Sequence, residues 1–169
     1  MEREVGKGST FFFTLQFEIP TIAQSDSLSK QNEELAIDEQ NISLAGIHIL
    51  MAEDNEINAE IAQTMLEMSH AEVTTVADGQ AAFDTFTQNA PGTFQIILMD
   101  INMPVMNGYE ATRMIREFAR EDAKNIPILA LTANAFDEDK KDALAAGMNG
   151  HISKPIEMSK LMKKIKKLV

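Results

Sequence analysis

The chain has 169 residues, a formal net charge of −11 and no cysteine. That length suffices for one domain with a proper core plus additional sequence, the acidic balance argues against nonspecific binding to nucleic acid or anionic membrane, and the lack of thiols excludes disulfides and thiolate metal sites. No apolar run approaches the roughly 18 residues that span a bilayer, and no small-residue cleavage site follows the N-terminal apolar stretch, so a cytoplasmic chain is expected.

In chain order, Thr10 to Ile19 alternates: Phe11, Phe13, Leu15, Phe17 and Ile19 fall on one side, with Phe12, Thr14, Gln16 and Glu18 on the other. This predicts a half-buried strand ended by Pro20. No neighbouring segment offers it a partner, so residues 1–20 read as the last strand of a domain otherwise missing from the chain. Residues 21–42 are rich in Ser, Gln, Asn and Glu and read as a flexible linker, with some helical tendency over Glu33–Ile37.

Over residues 43–169 the pattern becomes regular. Strands are predicted at Ile47–Ala52, Glu72–Val76, Gln95–Asp100, Ile126–Leu131 and His151–Ser153, and helices at Glu56–Met68, Gly79–Thr87, Gly108–Arg120, Glu138–Ala146 and Glu157–Leu168. Strict alternation implies an α/β doubly wound fold: a five-stranded parallel sheet with helices on both faces and right-handed crossovers.

The C-terminal strand edge is where open α/β sheets place their chemistry. There the sequence puts Glu53-Asp54, Asp100, Thr132 and Lys154. Asp100 can attack phosphorus in line, and Glu53, Asp54 and Asp100 offer hard oxygen ligands suited to Mg²⁺, with Mn²⁺ a substitute. Lys154 supplies a compact positive charge able to reach a phosphoryl oxygen, and Thr132 a hydroxyl for another. Asn102, two residues past the nucleophile, offers its backbone carbonyl to the metal. Taken singly each has a plainer reading: Asp100 as a turn residue, Glu53-Asp54 as a helix cap, Thr132 as structural, Lys154 as a surface lysine. Their joint placement on one edge favours the chemical reading.

Four segments then resemble the signature blocks of response-regulator receiver domains: Ile49-Leu50-Met51-Ala52-Glu53-Asp54-Asn55, Met99-Asp100 through Asn107-Gly108, Leu131-Thr132-Ala133-Asn134-Ala135 and Ser153-Lys154-Pro155-Ile156. The wording of residues 53–58 and 132–135 is most similar to receivers of hybrid sensor histidine kinases. The resemblance implies a flavodoxin-like (βα)5 fold, with Asp100 as phosphoacceptor and Glu53, Asp54 and the Asn102 carbonyl around Mg²⁺. It also implies that Thr132 is the switch hydroxyl and Lys154 the phosphate-binding lysine. The expected phosphoryl donor is a phosphohistidine on a kinase dimerisation domain, and the expected relay partner a histidine phosphotransfer domain. One departure stands at His151, where the family often has Tyr or Phe; an imidazole there is either a pH-responsive switch or a strand histidine without special role.

Val5-Gly6-Lys7-Gly8-Ser9-Thr10-Phe11 resembles the closing segment of histidine-kinase ATP-binding domains. The rest of such a domain is not in the sequence, and none of His48, His70 and His151 precedes an acidic residue. No ATP binding or histidine autophosphorylation is therefore expected of the chain itself; a full-length parent kinase anchored at the inner membrane is compatible with this. Asp137-Glu138-Asp139 reads as the cap and first turn of a helix. The lysines at 160, 163, 164, 166 and 167 read as a solvated helix face, opposite Leu161, Ile165 and Leu168. Ile57, Ile61 and Met65 on the first helix are candidates for docking, with some of them expected to face the core.

Rival readings are weaker. An aspartate-nucleophile phosphatase wants a second aspartate where Asn102 stands, and a flavin module wants a hydroxyl- and glycine-rich loop where Glu53-Asp54-Asn55-Glu56 stands. A phosphorylation-independent docking module regulating a parent kinase is the remaining alternative.

Overall fold

The computed structural model describes residues 2–4, 8–10, 14, 42–133 and 137–169. The chain divides into two units, 1–40 and 41–169. In the first, β1 (Glu2–Glu4) pairs antiparallel with β2 (Gly8–Thr10), with Glu2 opposite Thr10. Of the predicted Thr10–Ile19 strand this pairing includes only Thr10, and Thr14 is not in a strand. The remainder of the predicted Thr10–Ile19 strand, and the linker up to Asn41, lie outside the described residues. Ile42 already packs against the core of the second unit.

Five short runs form that unit's sheet: β3 (His48–Ala52), β4 (Glu72–Val76), β5 (Ile96–Asp100), β6 (Ile128–Thr132) and β7 (Gly150–Ser153). All neighbours are parallel, in the order β4-β3-β5-β6-β7. β5 and β6 are buried at every position, which is why they read as unbroken apolar runs: both sheet faces are covered. The period of two sends Leu50, Ala52, Ile97 and Met99 to one face, where they pack with Ala82, Phe86 and Ile115. Ile49, Met51, Ile96 and Leu98 go to the other, against Ala62, Leu66, Leu161 and Ile165.

The helices are α1 (Glu56–Met68), α2 (Gly79–Gln88), α3 (Gly108–Glu117), α4 (Glu121–Asn125), α5 (Asp137–Ala145) and α6 (Met158–Leu168). Side-chain caps fix three starts: Asn55 for α1, Asp78 for α2, and for α3 an Asn107–Glu110 capping box. The single helix predicted over Gly108–Arg120 is in fact two. Phe118 leaves helical geometry to meet the Phe83 ring edge-on at 5.9 Å, and Arg120 lies over the Phe86 ring at 4.3 Å while donating to the Phe86 and Asn89 carbonyls. β6 accordingly starts at Ile128 rather than Ile126, the residue that ends α4.

Every crossover leaves a strand C-terminus on the same edge, and at that edge Gly108 comes close to the strand it follows. Its N–H donates to the Ile101 carbonyl at 3.0 Å, and a Cβ here would drive into the Asp100 carbonyl oxygen and press on Met99. Gly108→Ala should therefore lower the unfolding free energy by about 1–3 kcal/mol, through backbone displacement next to Asp100. Urea denaturation of the two proteins measures the loss, and equal midpoints would show that the turn yields freely.

Candidate functional site

Four strand ends build the site. β3 hands over to Glu53, whose N–H donates to the Val76 carbonyl at 3.0 Å and whose side chain is buried. Asp54 follows, exposed, and Asn55 then caps α1 by accepting from the Ile57 and Asn58 N–H groups at 3.1 Å each. The capping role that the sequence left open for Glu53-Asp54 thus belongs to Asn55, and both acids are free for other work. β5 ends on Asp100, itself buried. Across the register Asp100 aligns with Leu131, and Thr132 with Ser153, so β6 presents a buried Thr132 hydroxyl beside the position from which Lys154 departs. The Lys154 N–H donates to the Thr132 carbonyl at 2.7 Å, and the Lys154–Pro155 peptide is cis.

These residues converge. One carboxylate oxygen each from Glu53, Asp54 and Asp100 lies within 4.8 Å of the others, the only such acidic cluster among the described residues. Lys154 Nζ donates to Glu53 Oε2 and to Asp100 Oδ2, both at 2.6 Å. The Asn102 N–H donates to the second Asp100 oxygen, Oδ1, at 3.1 Å. Burial pushes the Asp100 carboxyl above its ordinary 3.8, and the hydrogen bonds from Lys154 and Asn102 oppose without overcoming it. Burial alone would lower the Lys154 ammonium, but its bonds to Asp100 and Glu53 outweigh that and hold it above 10.5. The lysine stays charged at neutral pH and stands as a cation inside the acidic cluster.

The donor set is hard oxygen throughout, and an ammonium already sits between two of the carboxylates. Three carboxylates and one ammonium leave a net charge of −2, the complement of one divalent cation. Glu53, Asp54 and Asp100 fit Mg²⁺ on that chemistry.

His151 is half-buried on the edge strand β7, and its carbonyl accepts from Lys164 Nζ at 2.6 Å. It lines a surface groove with Lys160 and Lys164, so Lys164 is tethered rather than part of a freely solvated face. On α1 the core-facing residues are Ala62 and Leu66, whereas Ile57, Ile61 and Met65 are 68%, 56% and 42% exposed. The expectation that some of those three face the core is corrected: the helix has two apolar stripes, and the one with the small alanine is buried. Ile61 and Met65 line a groove completed by Pro155, Ile156 and Met158 that runs up to Asn58 and Lys154. Sequence reasoning missed Asn58, whose amide donates to Glu53 Oε1 at 3.0 Å. Its place one helical turn after the Asn55 cap was the available clue. The side chains of Asp137, Glu138 and Asp139 lie outside the described residues, though α5 does begin at Asp137.

A doubly wound parallel sheet with an aspartate, an acidic pair, a hydroxyl and a lysine on one edge defines a class. Residues 49–166 match the family model of the response regulator receiver domain. The chain is 36% identical over 165 residues to the aerobic respiration control sensor protein ArcB of Escherichia coli K12, an alignment covering 97% of this chain and 19% of ArcB. It thus spans about a fifth of that relative's length. Among solved structures it is similar to the receiver domain of sensor histidine kinase PA1611 from Pseudomonas aeruginosa PAO1, whose active-site cleft coordinates a magnesium ion. That match has 40% identity and a TM-score of 0.66, over 73% of this chain and 98% of the other. It is also similar to a co-crystal structure of the Saccharomyces cerevisiae histidine phosphotransfer protein Ypd1 and the receiver domain of its downstream response regulator Ssk1. Here identity is 32% and the TM-score 0.65, over 72% of this chain and 88% of the other. The chain belongs to the response-regulator receiver family, the receivers of two-component and phosphorelay systems.

The raised Asp100 carboxyl carries a consequence for stability. A folded-state value above the unfolded one favours folding at low pH, and that contribution is lost as pH rises from 3.8 through the folded value. At neutral pH the buried charge is thus a net cost, which Asp100→Asn removes while keeping the shape. The variant should melt higher than the native chain at pH 7, and the difference should shrink as pH falls below 3.8. Thermal unfolding at the two pH values tests this; a lower melting temperature for the variant at pH 7 would mean that the bonds to Lys154 and Asn102 dominate instead.

Proposed function

We propose that the chain accepts a phosphoryl group from a phosphohistidine onto Asp100 and passes it to a histidine phosphotransfer partner. The observation that carries this reading is the Lys154 ammonium held 2.6 Å from both Glu53 and Asp100 at the edge of a receiver sheet. Asp100 attacks with Oδ2 once Lys154 turns toward the incoming group, while the Asn102 N–H keeps Oδ1 fixed. The new O–P bond forms as the N–P bond to the donor imidazole breaks, and the imidazole nitrogen takes the electron pair. Lys154 moves with the charge, exchanging its carboxylate contact for a phosphoryl oxygen, and the Thr132 hydroxyl binds another. Glu53, Asp54, Asp100 and the Asn102 carbonyl would hold the Mg²⁺. When bound, that ion neutralises the cluster and offsets its repulsion of the arriving phosphoryl group.

Occupation of Thr132 and Lys154 by one ligand favours a conformation in which both residues engage the phosphoryl group together. The signal is that shift in population. His151 pairs across the sheet with Ala130, two residues before Thr132 on β6, and is read as the switch residue that follows the shift. The relay partner seats on the groove between α1 and the Pro155–Met158 segment, which opens beside the acidic cluster. The Ypd1 co-crystal structure supports a partner of this class.

Intact mass spectrometry after incubation with acetyl phosphate, or with a phosphorylated kinase, tests the reading. The native chain should gain one phosphoryl group only with Mg²⁺ present, and Asp100→Asn should gain none. Failure to label from either donor, in a folded chain that binds Mg²⁺, would instead favour a phosphorylation-independent docking module. A second arm concerns the groove: Ile61→Asp should slow transfer from the protein donor at least tenfold, an interface loss of about 1.4 kcal/mol or more, while labelling by acetyl phosphate stays unchanged.

A further inference from the structure

The buried Glu53 carboxylate is held by two donors of different kinds. Lys154 Nζ lies 2.6 Å from Oε2, and the Asn58 amide nitrogen lies 3.0 Å from Oε1. An ammonium at Oε2 shares its site with any other cation, because the two repel each other over the same carboxylates. A neutral amide at Oε1 does not: it carries no net charge and competes for no cation. The Asn58 backbone N–H donates to the Asn55 side-chain oxygen at 3.1 Å, which sets its main chain in the first turn of α1.

We propose that Asn58 is a positioning residue that restrains Glu53 to a single oxygen facing the acidic cluster and so favours Mg²⁺ over larger divalent cations. The assignment rests on the reading of the cluster as a Mg²⁺ site. Its physical basis is a difference in what the two ions accept. Mg²⁺ requires near-ideal octahedral placement and retains waters, so it gains from a carboxylate whose second oxygen is already engaged. Ca²⁺ accepts more ligands, at longer distances, and tolerates bidentate carboxylates. With the amide gone, Glu53 can rotate and offer both oxygens, an arrangement that suits the larger ion and misplaces the donor for the smaller one. Partners that orient metal ligands in this way are worth about 10–100-fold in affinity.

Asn58→Ala tests the proposal cleanly, because the residue is exposed and alanine is the better helix former. Calorimetric titration of the native chain and the variant with Mg²⁺ and with Ca²⁺, alongside thermal unfolding, gives the readout. The expected result is Mg²⁺ binding weakened about tenfold, with Ca²⁺ binding held within about twofold and both metal-free proteins fully folded at the temperature of the titration. Equal binding of both ions by native and variant proteins would overturn the proposal. So would a parallel loss of both, which would mark Asn58 as general support for the cluster and not a selector. A native chain that binds no Mg²⁺ would fail differently, removing the metal reading itself and the assignment with it.

Discussion

The site turns on one ammonium placed among carboxylates. Glu53 and Asp100 are almost completely buried, and neither ion would be tolerable there alone. Lys154, 22% exposed, reaches both and remains anchored through its backbone N–H to the Thr132 carbonyl. The arrangement is stable without being saturated. It keeps a net charge of −2, the complement of a divalent cation, while Lys154, the only positive group in contact with it among the described residues, sits on a long, flexible stem. A group held that way can exchange one oxygen for another at little conformational cost. A phosphoryl oxygen offers it the same kind of bond that Asp100 Oδ2 does.

The rest of the fold serves to deliver those few atoms to one edge. Parallel strands force every crossover to begin there, and the central strands β5 and β6, buried at every position, carry Asp100 and Thr132 to it. A slip of one residue would turn Asp100 into the sheet interior face and bring an aliphatic side chain to the edge. The close approach of Gly108 to the Asp100 carbonyl and the capping box at Asn107–Glu110 then hold the β5–α3 loop tight against the strand. The Asn102 N–H is thereby kept within reach of Oδ1. Local backbone chemistry sets the orientation of the Asp100 carboxylate, and the lysine sets its charge environment.

Much of this was legible because buried parallel strands announce themselves as continuous apolar runs, and the residue that ends each run marks the functional edge. Glu53, Asp100 and Thr132 were found that way, and Lys154 by its position after a short β-run. What escaped depended on contacts between elements. The break after Glu117 arises because Phe118 and Arg120 bond to α2, and nothing in residues 108–120 alone carries that information. The buried face of α1 was ambiguous for a similar reason: two apolar stripes share the helix, and only the sheet decides that Ala62 and Leu66 pack while Ile57 and Ile61 do not. Asn58 was missed because its importance lies in the direction of a carboxylate five residues earlier, to which its place after the Asn55 cap is only an indirect clue. Periodicity says nothing about such a direction.

The exposed stripe on α1 gives that missed residue a wider meaning. Ile57, Ile61, Met65 and Met68 are 42–77% exposed, and the first three follow one another at helical spacing. Contiguous apolar surface of this kind on a soluble domain is the signature of a contact face. Asn58 lies between Ile57 and Ile61 in sequence and lines the same groove as Ile61 and Met65. A partner helix seated in that groove would exclude water from the Asn58–Glu53 hydrogen bond, and in a drier environment that bond strengthens. The exposed apolar stripe and the amide that holds Glu53 therefore share a single turn of helix. On the proposed reading, docking at the groove would tighten the Glu53 carboxylate, and an arriving histidine would meet a site better ordered than the one left open to solvent.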